Sequence, residues 1–230
     1  MCTSISSMDT ERTALVDPRA LPIALGYLPV AFAFGLSAVA LHLPGWFAIG
    51  LSLLVYAGAS QFAALHLLQV GTPWLAAVVS IWLINLRMAL EGLSFFRRVD
   101  WGRRLPYLAL LLTDETFVAA SLGDPIGPAA YRRLVWLPYA TWVLGTAFGV
   151  AAGGLLPALL RHAFGIAIDA LFVSLLVEAV QADRKTLWAA TAGAVGAFLG
   201  SRLGGWSLVA GMLLGAAAYF AASLRPGGQA

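Results

Sequence analysis

The fold is decided by 67 consecutive residues that contain no Asp, Glu, Lys or Arg. This stretch, residues 20–86, reads ALPIALGYLPVAFAFGLSAVALHLPGWFAIGLSLLVYAGASQFAALHLLQVGTPWLAAVVSIWLINL. A soluble domain of this size has too much surface relative to its interior to keep such a stretch away from water. A membrane-spanning helix, by contrast, requires about 20 predominantly apolar residues in succession. We therefore predict an all-α integral membrane protein that crosses the bilayer several times.

The composition of the whole chain excludes several classes of protein. Of its 230 residues, 60% are hydrophobic and 11% are charged, whereas ordinary globular proteins contain about 25% charged residues. A soluble enzyme, a nucleic-acid-binding protein and a secreted disulfide scaffold are therefore excluded. Cys2 is the only cysteine and the chain has three histidines, so we expect no metal centre. The GxxxxGK[ST], HExxH and GxSxG patterns are absent, and we expect neither a cofactor nor an enzymatic activity.

Eight apolar segments are separated by Pro, Gly or charged residues. Each must be helical, because lipid offers no partner to a free backbone amide. The predicted organisation is a polar cytoplasmic tail (1–18), one polytopic transmembrane domain (19–225) and a short C-terminal tail (226–230). The predicted segments are 20–41, 45–68, 73–96, 105–123, 134–160, 165–181, 187–203 and 206–224.

The distribution of Lys and Arg predicts that the second and fourth segments do not simply cross the membrane. If all eight segments crossed, seven basic residues would lie in the cytoplasm and six outside, whereas cytoplasmic loops are normally richer in them. If these two segments are broken or re-entrant, the distribution becomes eleven to two. Both contain a polar interruption, at residues 56–61 and 113–116. The expected architecture is 7–8 helical segments, some of them broken or re-entrant, compatible with an inverted repeat.

Ionisable residues inside apolar segments are the first candidates for a functional site, because each costs about 2.5–3.5 kcal/mol at mid-membrane. Arg87 and Glu91 are one helical turn apart and are predicted to pair, either structurally or as part of a site. Asp114 and Glu115 are adjacent, which suits a proton-coupling acid or a binding position for a substrate ammonium group. The alternative is that Arg87, or an arginine of residues 97–104, neutralises them in a static salt bridge.

Two further acids are less informative. Asp169 is isolated in its segment and is the third proton-coupling candidate, while Glu178 is expected at the inner membrane surface. Stripes of small residues at four-residue spacing indicate close helix packing without chemistry. These stripes are Gly145–Gly149–Gly153, Gly196–Gly200–Gly204 and Gly211–Gly215.

Uncharged polar residues complete the predicted substrate-binding set. Tyr56, Ser60 and Gln61 in the second segment, with Asn85 in the third, supply donors and acceptors. Together with Arg87, Asp114 and Glu115 they would bind a zwitterion, for which Arg87 or a half-helix N-terminus is the predicted carboxylate-binding group. On a regular helix, however, Asn85 and Arg87 point in different directions.

Several of these motifs together resemble the AzlC family of bacterial inner-membrane permeases, the large subunits of branched-chain amino-acid transport systems. The resemblance covers roughly residues 20–200 and is densest up to residue 117. It rests on LPIALGYLP (21–29), SLLVYAGASQF (52–62), NLR (85–87), GLS (92–94), TDETF (113–117), WVLG (142–145) and ALF (170–172).

The resemblance implies a multi-pass protein of the bacterial inner membrane that exports branched-chain or other aliphatic amino acids, with proton coupling as an option. It also implies a small partner of the AzlD type, besides the lipid bilayer and the amino-acid substrate. The family usually has His and Tyr where this chain has Met88 and Glu91, and an acid near Gly165 where this chain has Asp169 one turn further on. The alternative function is a non-transporting membrane scaffold or assembly subunit.

Overall fold

The computed structural model consists of helices joined by turns and loops, with no strand, among the residues that it describes, which are 15–96, 105–122, 126–155, 157, 173, 176–177, 179–181, 183–201 and 206–224. This confirms the prediction of an all-α membrane protein. The described helices are α1 (Ala20–Ala40), α2 (Gly45–Leu54), α3 (Gly58–Gln69), α4 (Trp74–Phe96), α5 (Leu105–Ala109), α6 (Asp114–Ser121), α7 (Pro128–Leu155), α8 (Lys185–Leu199) and α9 (Ser207–Ser223).

Three of these helices, α1, α4 and α7, are long and apolar enough to cross a membrane. Helices α1, α4, α8 and α9 agree with the predicted segments to within a few residues. Helix α7 begins six residues before the predicted start at residue 134, because Pro128 occupies its first turn, where a proline costs no hydrogen bond. Most of the predicted sixth segment, including Asp169 and Glu178, lies outside the described residues.

Both predicted helix interruptions are present. The second segment is divided into α2 and α3 at residues 55–57, where Tyr56 has a φ of 43°. The fourth segment is divided into α5 and α6 at residues 110–113. The 10 residues of α2 would extend only about 15 Å, half of a typical hydrocarbon layer. That the segments return to the side from which they enter stays a prediction.

The chain divides into two compact units, Met1–Gln61 with Asn85–Arg161 and Phe62–Ile84 with His162–Ala230. The centre of the first unit is the close packing of α1 against α7. A Cβ atom on Gly149 would meet the carbonyl oxygen of Phe32, and one on Gly35 would meet that of Thr146. The two backbones therefore touch, and the stripe predicted at residues 145, 149 and 153 forms this interface.

A hydrophobic core surrounds the short helices of the first unit. Leu108, Leu111 and Leu112 pack there with Phe95 of α4 and Tyr131 of α7. The rings of Phe95 and Tyr131 have their centroids 5.2 Å apart. This core holds α5 and the start of α6 against α4 and α7, and so determines where the acidic residues of α6 lie.

In the second unit, α8 and α9 pack through glycines. A Cβ on Gly196 would lie 3.2 Å from the Cα of Gly211, and one on Gly215 would lie 2.9 Å from the carbonyl oxygen of Ala189. Asp183, just before α8, accepts a hydrogen bond from the Tyr219 hydroxyl of α9 at 2.8 Å. Hydrogen bonds from the Lys185 backbone N–H and from Tyr219 hold the pKa of Asp183 below its usual range. The predicted packing role of these stripes is confirmed for the described glycines.

Candidate functional site

The acidic residues of the fourth segment lie at the N-terminus of α6, which begins with a capping box. The Thr113 side chain accepts a hydrogen bond from the backbone N–H of Thr116, and the Thr116 hydroxyl accepts one from the backbone N–H of Thr113 at 2.8 Å. Asp114 and Glu115 therefore occupy the first turn, where the positive end of the helix dipole favours carboxylates.

Arg87 of α4 forms an ion pair with Asp114 of α6. The predicted pair of Arg87 with Glu91 is not formed in the described part of the chain, because the Asp114 carboxylate takes the guanidinium instead. An arginine that precedes its acid by four residues is also the less favourable orientation within a helix. The ion pair thus joins two helices rather than two turns of one helix.

Carboxylate oxygens outnumber their donors around this ion pair. Glu91 Oε2 and Asp114 Oδ1 are buried and have no hydrogen-bond partner among the described residues. The carboxyl groups of Glu91 and Asp114 lie next to each other. Without a proton or another cation between them, these two oxygens would repel. Among the described residues, Asp114 therefore has one ion-pair partner, Arg87, and Glu91 has none.

Glu115 has a different partner, the Tyr27 hydroxyl of α1. This hydroxyl donates to Glu115 Oε2 at 2.5 Å and lies 2.7 Å from Thr113 Oγ1. Tyr27 is buried, while Glu115 is exposed. Tyr27 thereby fixes the start of α6 against the middle of α1.

An open cavity of about 370 Å³ lies beside these carboxyl groups. It is bounded by the beginning of α1 and by one face of α6. Its accessible wall is almost entirely apolar, and three charged residues, Arg19, Asp114 and Glu115, border it. The lining residues are Arg19, Ile23, Asp114, Glu115, Val118, Ala119 and Leu122.

Gln61, one of the uncharged residues of the predicted set, lies elsewhere in the first unit, in a sealed hydrogen-bond network. Gln61 is 1% exposed; its amide donates to Ser52 Oγ at 2.9 Å and accepts from Trp142 Nε1 at 2.9 Å. The hydroxyls of Ser52 and Thr146 are 2.8 Å apart. The amide of Gln61 is thus engaged on both sides by protein groups.

Gln61→Leu is therefore expected to lower the free energy of unfolding by about 1–3 kcal/mol, because it leaves the Trp142 N–H buried without an acceptor. The measurement is thermal unfolding of the detergent-solubilised protein. The control is Gln69→Leu, the same substitution at an exposed position of the same helix, which is expected to leave the unfolding temperature unchanged. Equal unfolding temperatures with a selective loss of substrate binding would instead favour the predicted binding role of Gln61.

The remaining predicted residues are placed as follows. The Ser60 hydroxyl donates to Asn85 Oδ1 at 2.5 Å. Because α4 is continuous, Asn85 points to α3 and Arg87 to α6, in different directions as the sequence indicated. Tyr56 is buried at the α2–α3 junction, its hydroxyl has no hydrogen-bond partner in the described part of the chain, and its ring packs edge-on against Tyr139.

The sequence analysis missed Arg19, Tyr27 and Trp142. The ring centroids of Tyr27 and Trp142 are 5.3 Å apart, so these two residues connect the charged site to the sealed network. One signal could have identified both: each lies in the middle of an apolar segment rather than at its end. A hydroxyl or indole N–H at that depth requires a partner within the protein.

These observations define the class of the protein: a helical membrane protein whose first unit contains interrupted helices and a charged cavity. The chain belongs to the AzlC family, since the family described as AzlC protein matches residues 22–156. The resemblance found in the sequence motifs is thereby confirmed.

Relatives with printed descriptions agree with this membership. The chain is 34% identical over 195 residues to "Inner membrane protein YgaZ" of Escherichia coli, which covers 80% of this chain and 78% of the relative. It is 34% identical to an uncharacterised membrane protein of Archaeoglobus fulgidus, in a match that covers 84% of this chain and 85% of the relative. It is 24% identical to "Branched-chain amino acid transport protein AzlC" of Bacillus subtilis, in a match that covers 73% of this chain and 68% of the relative. No solved structure matches the chain.

Proposed function

We propose that the chain is a secondary permease of the bacterial inner membrane that exports branched-chain or other aliphatic amino acids, together with a small membrane subunit of the AzlD type. The main support is the open cavity in which Arg19, Asp114 and Glu115 meet Ile23, Val118 and Leu122. The name of the Bacillus subtilis relative, a branched-chain amino acid transport protein, supports the same substrate class. The role is transport rather than catalysis.

The lining of the cavity suits a small aliphatic zwitterion. Such a substrate requires a cation for its carboxylate, a carboxylate for its ammonium group and an apolar wall for its side chain. The wall of the cavity is apolar, and residues of both charges, Arg19, Asp114 and Glu115, border it. On the predicted topology, Arg19 marks the cytoplasmic end of α1, so the cavity would accept the substrate from the cytoplasm, as an exporter requires.

The excess of carboxyl groups supports proton coupling. Among the described residues, Asp114 pairs with the guanidinium of Arg87, and Glu91 and Glu115 are the acidic neighbours of Asp114. A proton between Glu91 and Asp114 would satisfy both of their orphan oxygens. A substrate ammonium group that binds Asp114 would supply the missing positive charge and release that proton. Substrate and proton would then exchange at one site, with Asp114 and Glu115 as the proton-coupling residues.

The test is counterflow of radiolabelled valine in proteoliposomes, with and without a candidate small subunit. Asp114→Asn and Glu115→Gln are each expected to reduce transport roughly tenfold or more, because each removes a charge-assisted hydrogen bond to the ammonium group. Asp183→Asn, which removes a carboxylate from the second unit, is the control and is expected to transport at the wild-type rate.

Two results would contradict this proposal in different ways. Wild-type transport by both Asp114→Asn and Glu115→Gln would show that the binding site lies elsewhere. No transport by the wild-type protein, with or without the subunit, would favour the non-transporting scaffold.

A further inference from the structure

Arg19 and Asp17, just before α1, form a two-pronged ion pair. Arg19 Nε donates to Asp17 Oδ1 at 2.9 Å, and a terminal nitrogen donates to Oδ2 at 2.8 Å. The Arg19 backbone N–H also donates to Asp17 Oδ1 at 3.0 Å. The side-chain hydrogen bond from Arg19 holds the pKa of Asp17 below its usual range, so Asp17 is ionised at neutral pH. This is the geometry in which a guanidinium binds any free carboxylate.

A third hydrogen bond holds the guanidinium at the cavity wall. The other terminal nitrogen of Arg19 donates to the carbonyl oxygen of Ala119 on α6 at 2.8 Å. Ala119 and Arg19 both line the cavity. The Arg19 side chain is 38% exposed and that of Asp17 is 14% exposed. The guanidinium is therefore fixed in place at the border of the cavity, and part of the Arg19 side chain stays exposed.

Glu115 lies one turn before Ala119 on α6, about 6 Å along the helix axis. The acid and the carbonyl group that holds Arg19 are therefore on the same side of this helix. A small zwitterion would place its ammonium group toward Glu115 and its carboxylate toward Arg19. Its side chain would then face Ile23, Val118 and Leu122, which line the same cavity.

Arg87, the predicted carboxylate-binding residue, is less well placed. It is paired with Asp114 and is not among the described residues that line the cavity. Among those lining residues, Arg19 is the cation. If Arg87 left Asp114 to bind the substrate carboxylate, the carboxylates of Asp114 and Glu91 would lie next to each other without this cation.

We infer that Arg19 binds the substrate carboxylate, and that Asp17 occupies this position as an internal competitor when the cavity is empty. The inference rests on the proposed function and adds to it a specific residue for carboxylate recognition. Exchange of one carboxylate for another conserves the hydrogen bonds of the guanidinium, so Arg19 is paired before and after binding. The competitor is local, two residues away in the chain, and its departure would also break the hydrogen bond that its Oδ1 accepts from the Arg19 backbone N–H.

A competitor and a structural ion pair predict opposite effects of Asp17→Asn. If Asp17 only positions Arg19, its removal weakens valine binding. If Asp17 competes, its removal strengthens valine binding, by roughly 1.5- to 5-fold for a partly exposed pair. Arg19→Gln is expected to weaken valine binding about tenfold or more, because it removes a charge-assisted contact. The measurement is equilibrium binding of radiolabelled valine to the purified full-length protein in detergent.

Valinol, in which an alcohol replaces the carboxylate of valine, separates the direct contact from an effect on folding. Wild-type protein is expected to prefer valine over valinol, Arg19→Gln to lose this preference, and Asp17→Asn to increase it. Asp183→Asn, which likewise removes a hydrogen-bonded carboxylate beside a basic residue, is the control and is expected to change neither affinity.

Two results would overturn the inference and leave the proposed function in place. One is weaker valine binding by Asp17→Asn, and the other is an equal loss of affinity for valine and for valinol in Arg19→Gln. If Arg19→Gln does not fold, the affinities of Asp17→Asn for valine and valinol still decide whether Asp17 competes with the substrate carboxylate. Failure of wild-type protein to bind or transport valine would instead refute the proposed function.

Discussion

Arg87→Gln is expected to lower the amount of protein that accumulates stably in the membrane, and a second substitution, Asp114→Asn, is expected to restore it. The single variant leaves the Asp114 carboxylate beside Glu91 without its cation. An uncompensated charge at mid-membrane costs about 2.5–3.5 kcal/mol, a large part of the 5–15 kcal/mol that typically stabilises a folded protein. The double variant removes both charges of the ion pair. The measurement is the amount of protein in the membrane fraction, with its unfolding temperature in detergent.

Further single variants distinguish loss of the Arg87–Asp114 ion pair from a general effect of charge changes on the stability of the protein. Asp114→Asn alone is expected to be milder than Arg87→Gln, because Glu91 lies one turn along α4 and can take the guanidinium. Glu91→Gln is expected to be neutral or stabilising, since it removes the charge of a carboxylate whose Oε2 has no hydrogen-bond partner among the described residues. Arg132→Gln, at an exposed position in the first turns of α7, is the control. Wild-type stability of Arg87→Gln would show that Arg87 lies in water.

The interruptions of the second and fourth segments could be predicted because their signals are local. Thr113 and the two acids that follow it interrupt an apolar run. The distribution of Lys and Arg between the two sides of the membrane indicated, in addition, that the second and fourth segments do not simply cross it. The capping box then provides the physical reason for a new helix at residue 114. Local signals of this kind are contained in a few neighbouring residues, and no knowledge of the packing is needed to interpret them.

The partners of the polar residues could not be predicted, because they come from distant parts of the chain. A helical projection shows Arg87 next to Glu91 but contains no information on Asp114, which belongs to another helix. Gln61 likewise required a partner at its depth, and the sequence cannot distinguish a substrate from the side chains of Ser52 and Trp142. Arg19 was counted only as a basic residue at a membrane boundary, since its position in a cavity depends on where α6 packs.

Gly149→Ala is expected to destabilise the first unit by about 1–3 kcal/mol or more, although it adds a single methyl group. The new Cβ would meet the backbone carbonyl of Phe32 on α1, and backbone atoms cannot move aside as a flexible side chain can. Helices α1 and α7 would have to separate. The matched control is Gly154→Ala on the same helix, where a Cβ meets nothing within 4 Å. That variant is expected to be unchanged or to gain up to about 1 kcal/mol, because alanine loses less conformational freedom than glycine on folding.

The same comparison tests whether the helix packing supports the site. Tyr27 of α1 and Trp142 of α7 are in ring contact, and each holds a polar partner, Glu115 and Gln61 respectively. Separation of the two helices should therefore weaken valine binding in Gly149→Ala and leave it intact in Gly154→Ala. Thermal unfolding and equilibrium valine binding of the two variants measure both effects. Equal stability of the two variants would mean that α1 and α7 do not approach each other backbone to backbone, and the positions of Tyr27, Glu115 and the cavity beside them would then lose their support.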